Sequence, residues 1–560
     1  MLIDLTHPPS GFRVPFFRGR WGGRAVVLSL VLVVGMGVVP ARARPETVKI
    51  TVDPMATRPI SPWIYGINGY GASSTQVRNL ALHRHGGNRW TAYNWETNAS
   101  NAGKDWFFHN DDHLGGGDVP GQAVYPLLLA DRSRGKASLF TVPMLGYVAA
   151  DKKGDNVALV TPIETRLATR FKRLVPQKPV ATAGPFTLSP DTRDAYVYAD
   201  EFVWAMDQRV DGDIYADPLR PTFISLDNEP DLWSDTHSPI SPTAPTPQAF
   251  IDQTITMAKA IKDVAPAAKL FGPGHYGFLG LTSWQGAPGF SSTFWYADLY
   301  LRAMRTASSE YGRRLVDVFD FHWYSEVYVG GKRVTDFDAA WLNDDQIQGI
   351  VQSPRSLWDP TYTEDSWIAR SMGAPIRLLP RLQEKIAVGW PGTELAVTEW
   401  NHGGANHIAG AIAVADTLGI FGQYGVFAAA YWPLNAQTNF DHAGFRMYRD
   451  YDGALGTFGD LSIAATSSGP ARVAAYVSRN SALPGRYVIV AINRSATEQT
   501  VGFRGLKLCA RARLFRLSGD SNQPKPVGVT AEVDLADWLV DLPGYSITTI
   551  ELTDASRSVP

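Results

Sequence analysis

The chain has 560 residues, 45% of them hydrophobic and 19% charged, enough for a large core and more than one domain. Its 52 basic and 54 acidic residues nearly balance, without the basic stripe that nucleic acid demands or a long acidic tail. One cysteine, Cys509, excludes an intrachain disulfide. At the N-terminus, Arg18, Arg20 and Arg24 precede the apolar run Ala25 to Val39, and Ala41-Arg42-Ala43 follows as an A-x-A-like cleavage site. Residues 1–44 therefore read as an export signal, with an uncleaved anchor as the alternative. Either way the remainder is expected outside the cytoplasm, secreted or periplasmic, and a monomer is expected.

Next, VKITVDP (48–54) reads as a lone strand, and residues 45–60 are expected to join a sheet formed much later in the chain. From residue 61 the rhythm changes to short apolar runs alternating with helical patterns, the signature of βα units. Eight runs qualify as strands: 63–68, 82–90, 138–145, 222–229, 269–274, 318–324, 394–400 and 427–434. In QAFIDQTITMAKAIKDV, Ile251, Ile255, Ala258, Ile261 and Val264 share one helical face. The expected architecture is α/β, a (β/α)8 barrel over 61–455. The long connections 91–137 and 155–199 predict elaborate loops, the second an insertion or lid. Past residue 455 the helical patterns stop. Short alternating segments predict a small antiparallel β-sandwich over 456–560 that braces the barrel, with glycan binding as the alternative. Cys509, in LKLCARARLF, reads as a buried, inert thiol.

Two motifs carry chemistry. ISLDNEPDLW ends a run on Asn228-Glu229-Pro230, and LAVTEWN ends another on Thr398-Glu399-Trp400. By count these are the fourth and seventh strands, which face one another across a barrel, and barrel chemistry sits at strand C-termini. A charged residue ending a buried strand is costly unless it has a task or a partner. Glycoside hydrolysis needs one protonated and one ionised carboxyl flanking the scissile bond, about 5–5.5 Å apart in retaining enzymes. Asn228 is placed to hydrogen-bond a sugar 2-OH. Trp323, Tyr324, Trp400 and Trp432 stand at strand ends, suited to a stacking platform within a chain of 17 Trp, 22 Tyr and 25 Phe.

These stretches carry a resemblance. GGNRWTAYNWETNASNAGKDW (86–106), VPMLGYVAADKKGD (142–155), DEFV (200–203), SLDNEPDLWSDTH (225–237), FGPGHYGF (271–278), DFHWYSE (320–326), VTEWN (397–401) and FRMYRDYDG (445–453) lie in one order. Together they resemble glycoside hydrolase family 44, endoglucanases and xyloglucanases. The resemblance implies a retaining endo-β-1,4-glucanase of plant polysaccharide, β-glucan or xyloglucan, with Glu229 as acid/base and Glu399 as nucleophile. It adds Asn94 and Trp95 as substrate-binding residues and a structural calcium held by Glu96, Asp151 and Asp200. No cofactor is expected to take part in catalysis. The segment 155–199 matches the family pattern less well.

HNDDH (109–113) lacks any HExxH or Cys/His framework and reads as a solvated loop. The rival readings are an exo-acting arabinosidase or xylosidase on the same barrel and a non-catalytic glycan-binding protein.

Overall fold

The computed structural model describes residues 47–69, 79–210, 212–434, 439–506 and 508–554. The export segment expected at 1–44 lies outside them. Among the described residues no helix is long and apolar enough to cross a membrane.

After β1 (Val48–Pro59), eight parallel strands close a barrel: β2 (Gly66–Asn68), β3 (Leu82–His85), β4 (Ala137–Val142), β5 (Thr222–Leu226), β6 (Leu270–His275), β7 (Val318–Tyr324), β8 (Glu394–Asn401) and β9 (Ala428–Tyr431), with β9 pairing back onto β2. Each coincides with one of the eight runs read from the sequence, with ends shifted by a few residues. The barrel's N-terminal half is filled by Leu82, Leu139, Phe223, Phe271, Val318 and Ala428, with Trp63 and Phe427 packed against them. That apolar plug leaves polar side chains for the C-terminal mouth.

The outer layer includes α1 (Tyr125–Ser133), α2 (Ala199–Arg209), α3 (Pro247–Val264), α4 (Phe278–Ser283), α5 (Tyr296–Tyr311), α6 (Trp367–Met372), α7 (Leu378–Gly389), α8 (Ile408–Tyr424) and α9 (Phe440–Arg449). The start of α3 follows from its sequence. The Thr246 hydroxyl accepts a hydrogen bond from Ala249 N at 3.2 Å, and Pro247 occupies the first turn, where no N–H is missed. Its face Ile251, Ala258 and Ile261 is buried. Residues 155–199 hold short elements of their own, and Phe171–Val175 pairs with both Tyr147–Ala149 and Tyr196–Tyr198.

The C-terminal strands are β10 (Leu461–Ser467), β11 (Val473–Arg479), β12 (Arg486–Asn493), β13 (Gln499–Arg504), β14 (Cys509–Ser518), β15 (Ser521–Asp534), β16 (Leu539–Leu542) and β17 (Ser546–Asp554). Hydrogen bonds link them with β1 into one nine-stranded sheet, ordered β15-β14-β17-β12-β11-β10-β1-β13-β16. It is antiparallel except where β1 runs parallel to β13. The central strands are buried on both faces. Val473, Ala475, Val477 and Ile489 enter the core enclosed by the sheet, while the alternate Ala474, Tyr476, Val488 and Val490 enter the main barrel core. Continuous apolar runs such as YVIVAI are what two buried faces require. Cys509 departs from expectation. It is exposed, because the strand alternates outward at Cys509 and inward at Ala510, one residue out of phase with the sequence reading.

Helix α8 lies between barrel and sheet and is buried from Ile408 to Gly422. A helix buried all round needs apolar residues all round. Gly419 is required there, since a Cβ would sit 2.2 Å from the Tyr476 ring. The charged exception is Asp416, whose carboxylate takes the Arg494 guanidinium and the Tyr476 hydroxyl (2.6 Å), with both ionic side chains 0% exposed. Removing one partner of such a pair strands a buried charge, a loss of about 3–5 kcal/mol. Asp416→Ala should therefore lower unfolding stability by that amount in urea titration. A loss below about 1 kcal/mol would mean that water reaches Arg494.

Candidate active site

Glu229 follows β5 through a strained turn. Asp227 and Glu229 both adopt left-handed backbone conformations, φ 64° and 44°, each costing about 1–2 kcal/mol for a residue with a Cβ. The turn is held by hydrogen bonds. The fully buried Asp227 carboxylate accepts from the Thr91 hydroxyl and its neighbour Asn228 N, both at 2.7 Å, and from Met144 N. Glu229 N donates to Gly274 O at 2.9 Å. Burial pushes the Asp227 carboxyl up to about 7.

Period-two alternation on β7 brings Asp320, His322 and Tyr324 to one side. The β7–β8 register slips by one residue after Phe321 and Val397, so His322 pairs with Glu399 and Thr398 is the extra residue. Such a bulge re-aims side chains. Thr398 donates to Asp320 at 2.8 Å, and Glu399 still reaches the barrel mouth.

Five side chains converge there. His322 Nδ1 is 2.8 Å from Glu229 Oε1 and 3.5 Å from Glu399 Oε2. The Tyr324 hydroxyl donates to Glu399 Oε2 at 2.7 Å, and Arg84 Nη1 donates to Glu399 Oε1 at 2.6 Å. Arg84, 1% exposed, also donates to Asn68 Oδ1 (2.9 Å) and Asn228 Oδ1 (2.8 Å). Its Nη2 lies 3.5 Å from His322 Nε2. Since that nitrogen faces a donor, the ring proton is assigned to Nδ1, where it points at Glu229. One oxygen of each glutamate and a nitrogen of His322 all lie within 4.8 Å of one another.

The two carboxyls sit in unlike fields. Burial raises Glu229, offset in part by His322 and reinforced by the neighbouring Glu399 and Asp231 charges, so its pKa stands above the ordinary value. Burial also raises Glu399, but His322, Arg84 and the Tyr324 hydroxyl outweigh it and hold Glu399 below the ordinary value. The site thus combines a carboxyl that keeps its proton with one that gives it up.

Asn228, Tyr324 and the two glutamates come together as the sequence implied. Trp432 is half-buried, and its ring abuts Gly87 at φ 104°, where a Cβ would lie 2.8 Å from it. Trp323, 2% exposed, lines a cavity beside Tyr324. Three residues fall elsewhere. Trp400 alternates away from Glu399 and packs against Phe421, Tyr431 and Phe445 in the helical layer. Trp95 is 1% exposed and stacks on Phe202. Asn94 is buried as a loop brace, donating to Ala149 O and accepting from Glu96 N. All three are at most 1% exposed. Sequence reasoning missed Arg84, His322 and Asn68. The available signal was a basic residue inside the run LHRH and the His two residues before Tyr324.

The carboxylates expected to hold calcium do not fit one ion. Asp151 is forked by Arg170, at 2.6 and 2.9 Å. Glu96 takes Lys172 at 3.1 Å. Asp200 accepts the backbone N–H groups of Lys178 and Glu201. Each is matched to a separate donor, and among the described residues they form no three-ligand cluster; Glu229, His322 and Glu399 do. In HNDDH, Asp111 pairs with Arg89 at 2.6 Å.

The sequence model of glycoside hydrolase family 44 matches residues 99–327. An endoglucanase A from Paenibacillus lautus is 40% identical over 470 residues, 81% of this chain and 64% of that protein. A β-mannanase/endoglucanase A from Caldicellulosiruptor saccharolyticus is 34% identical over 91% of this chain and 39% of its own length. The chain thus spans less than two thirds of either curated relative. The solved Paenibacillus polymyxa family 44 xyloglucanase with xyloglucan superposes with a TM-score of 0.83 at 36% identity, over 91% of this chain and all of that one. With the fold, the order of the elements and a relative covered end to end in agreement, the chain belongs to glycoside hydrolase family 44.

Proposed function

We propose that the protein is an exported, retaining endo-β-1,4-glucanase acting on β-glucan or xyloglucan. The observation that carries this reading is the pair Glu229 and Glu399 around His322, within 4.8 Å and oppositely shifted. Relatives named for endoglucanase and xyloglucanase activity support the substrate class. Glu399, ionised by Arg84 and Tyr324, attacks the anomeric carbon. Glu229 gives its proton to the leaving oxygen, and a glycosyl ester forms on Glu399. Glu229 then takes a proton from water, which attacks the ester from the opposite face, so configuration is retained. His322 holds Glu229 in place by its Nδ1–H. Arg84 holds Asn228 beside the attacked sugar.

The assignment is tested by product analysis on carboxymethylcellulose, xyloglucan, lichenan, xylan and mannan. Endo cleavage drops viscosity while few reducing ends appear; single sugars released from chain ends would overturn it. Glu229→Ala should cost about 10²–10⁴-fold on polysaccharide but far less on aryl glycosides with good leaving groups. Equal losses on both would reassign the acid. Glu399→Ala should be inactive and be rescued by azide to the α-glycosyl azide, whereas a β product would exchange the two roles.

The pH dependence follows from the same fields. Turnover rises as Glu399 deprotonates and falls as Glu229 does. The Tyr324 hydroxyl favours ionised Glu399, so Tyr324→Phe raises that pKa and moves the acid limb upward. A hydrogen bond to a charge contributes about 1.5–3 kcal/mol, equivalent to roughly one to two pH units. An acid limb that stays in place would remove Tyr324 from this role.

Because Lys172 and Arg170 already neutralise Glu96 and Asp151, we infer that no calcium is needed to hold these loops. EDTA should leave both the melting temperature and turnover unchanged. A melting temperature that falls with EDTA and returns with calcium would contradict this, by mass action of an ion on the folded state.

A further inference from the structure

Strand β7 has a bulge in the neighbouring strand on each side. Against β6, Pro273 pairs with Asp320 and His275 with Phe321, so Gly274 is the extra residue. Against β8 the extra residue is Thr398. The slip at Thr398 recurs against β9, where Val397 pairs with Ala429 and Trp400 with Tyr431. An extra residue falls out of the ladder, and its buried backbone groups then need other partners. Each bulge is also tied to a catalytic glutamate. Gly274 O accepts from Glu229 N at 2.9 Å, and Thr398 directly precedes Glu399.

One side chain bonds to both bulges. Asp320 stands on β7 between them and is 0% exposed, so substrate does not reach it. Its Oδ1 accepts from Gly274 N at 2.9 Å, and its Oδ2 accepts from the Thr398 hydroxyl at 2.8 Å. Thr398 is held from the other direction as well. Asn68 Nδ2 donates to Thr398 O at 2.9 Å and to Ala430 O at 3.0 Å, while Arg84 holds Asn68 Oδ1. The Gly274 bulge needs a left-handed backbone, φ 64°, which glycine adopts without the cost of a Cβ. Burial raises the Asp320 carboxyl above its ordinary value, against the two bonds and the His322 and Arg84 charges. Its two acceptor positions therefore matter more than its charge.

We propose that Asp320 is a positioning residue of the reaction, a common anchor that sets how far apart Glu229 and Glu399 present their carboxyls. The inference rests on the glucanase reading above and adds to it a residue that meets neither substrate nor reacting atoms. The separation of the two carboxyls decides the course of the reaction. That separation spans β6, β7 and β8, so neither glutamate's own turn can set it. Two separate anchors would let the bulges shift independently, whereas one carboxylate between them makes Gly274 and Thr398 move together.

The test compares Asp320→Ala, Asp320→Asn and Thr398→Val with the parent protein on carboxymethylcellulose and on an aryl β-cellotrioside. Asp320→Ala releases both bulges. Its kcat should fall about 10²-fold on both substrates, the cost of misplacing reacting groups by about 1 Å. KM should stay unchanged, because substrate contacts are untouched. In Asp320→Asn the amide oxygen still accepts from Gly274 N and the amide N–H meets the Thr398 oxygen. That variant should recover most of the kcat lost in Asp320→Ala. Thr398→Val keeps the side-chain shape, releases one bulge and should lose part of kcat, again at unchanged KM. A melting scan identifies which variants stay folded, and Thr398→Val carries the test where Asp320→Ala does not. A folded Asp320→Ala or Thr398→Val with the parent's kcat overturns the proposal. So does an Asp320→Asn as slow as Asp320→Ala, which would place the effect in the charge, or a KM that rises as kcat falls. If the parent protein cleaves neither substrate, the glucanase reading falls and this one with it.

Discussion

The buried Arg84 guanidinium is the interaction on which the site depends. At 1% exposure it places a permanent cation in the barrel mouth, 2.6 Å from Glu399. Without a partner, a carboxylate there would stay protonated, as burial alone would dictate. Glu229, a few ångströms away, shares the His322 imidazole with Glu399 but is also raised by the Glu399 and Asp231 charges. The opposite shifts of the two carboxyls follow from burial at Glu229 and, at Glu399, from His322, Arg84 and Tyr324 together outweighing burial. The same guanidinium holds Asn68 and Asn228, so one residue links the charge state of Glu399 to the geometry of the two amides. The arrangement is preformed and needs no reorganisation when charge develops.

Keeping that geometry requires a barrel whose mouth does not flex, and the bracing comes from outside. Helix α8 follows β8, the strand that bears Glu399, and is locked against the nine-stranded sheet by Asp416, Arg494 and Tyr476. The sheet is in turn closed by β1, the first described strand, between β10 and β13. Two segments at opposite ends of the chain thus support the layer behind the nucleophile. A buried ion pair contributes little net stability, but it is intolerant of misplacement. Its place between barrel and sheet suits fixing register more than adding strength.

Much of this was legible in the sequence. The eight runs marked the eight barrel strands because apolar stretches between helical patterns have few other solutions. Glu229 and Glu399 stood out because acidic residues rarely end apolar runs without a task. What escaped depends on the phase of side chains and on partners distant in sequence. Trp400 was taken for a platform from its position at a strand end, yet in a strand the neighbour of an inward residue points outward. Cys509 failed by the same one-residue phase. The bulge at Thr398 was invisible because it is defined by pairing with β7. Arg84 lies 315 residues from Glu399, and no local pattern signals that a basic residue in one strand answers an acid five strands later.

In the loop layer the three acidic residues meet separate partners. Glu96, Asp151 and Asp200 have the oxygen chemistry of a calcium site, but a ligand set is defined by convergence as much as by atom type. Here the segment 155–199 supplies Arg170, Lys172 and Lys178. The first two pair with Asp151 and Glu96, and the third donates its backbone N–H to Asp200. Arg170 also reaches Asp155, and Lys172 reaches Asp194. A guanidinium with a fork of donors fixes direction as well as charge, so these contacts tie the loop after β4 to the segment that follows it. The segment 155–199 thereby carries the counter-charges of Asp151 and Glu96, which makes the positioning of this rim a property of side chains encoded in the sequence.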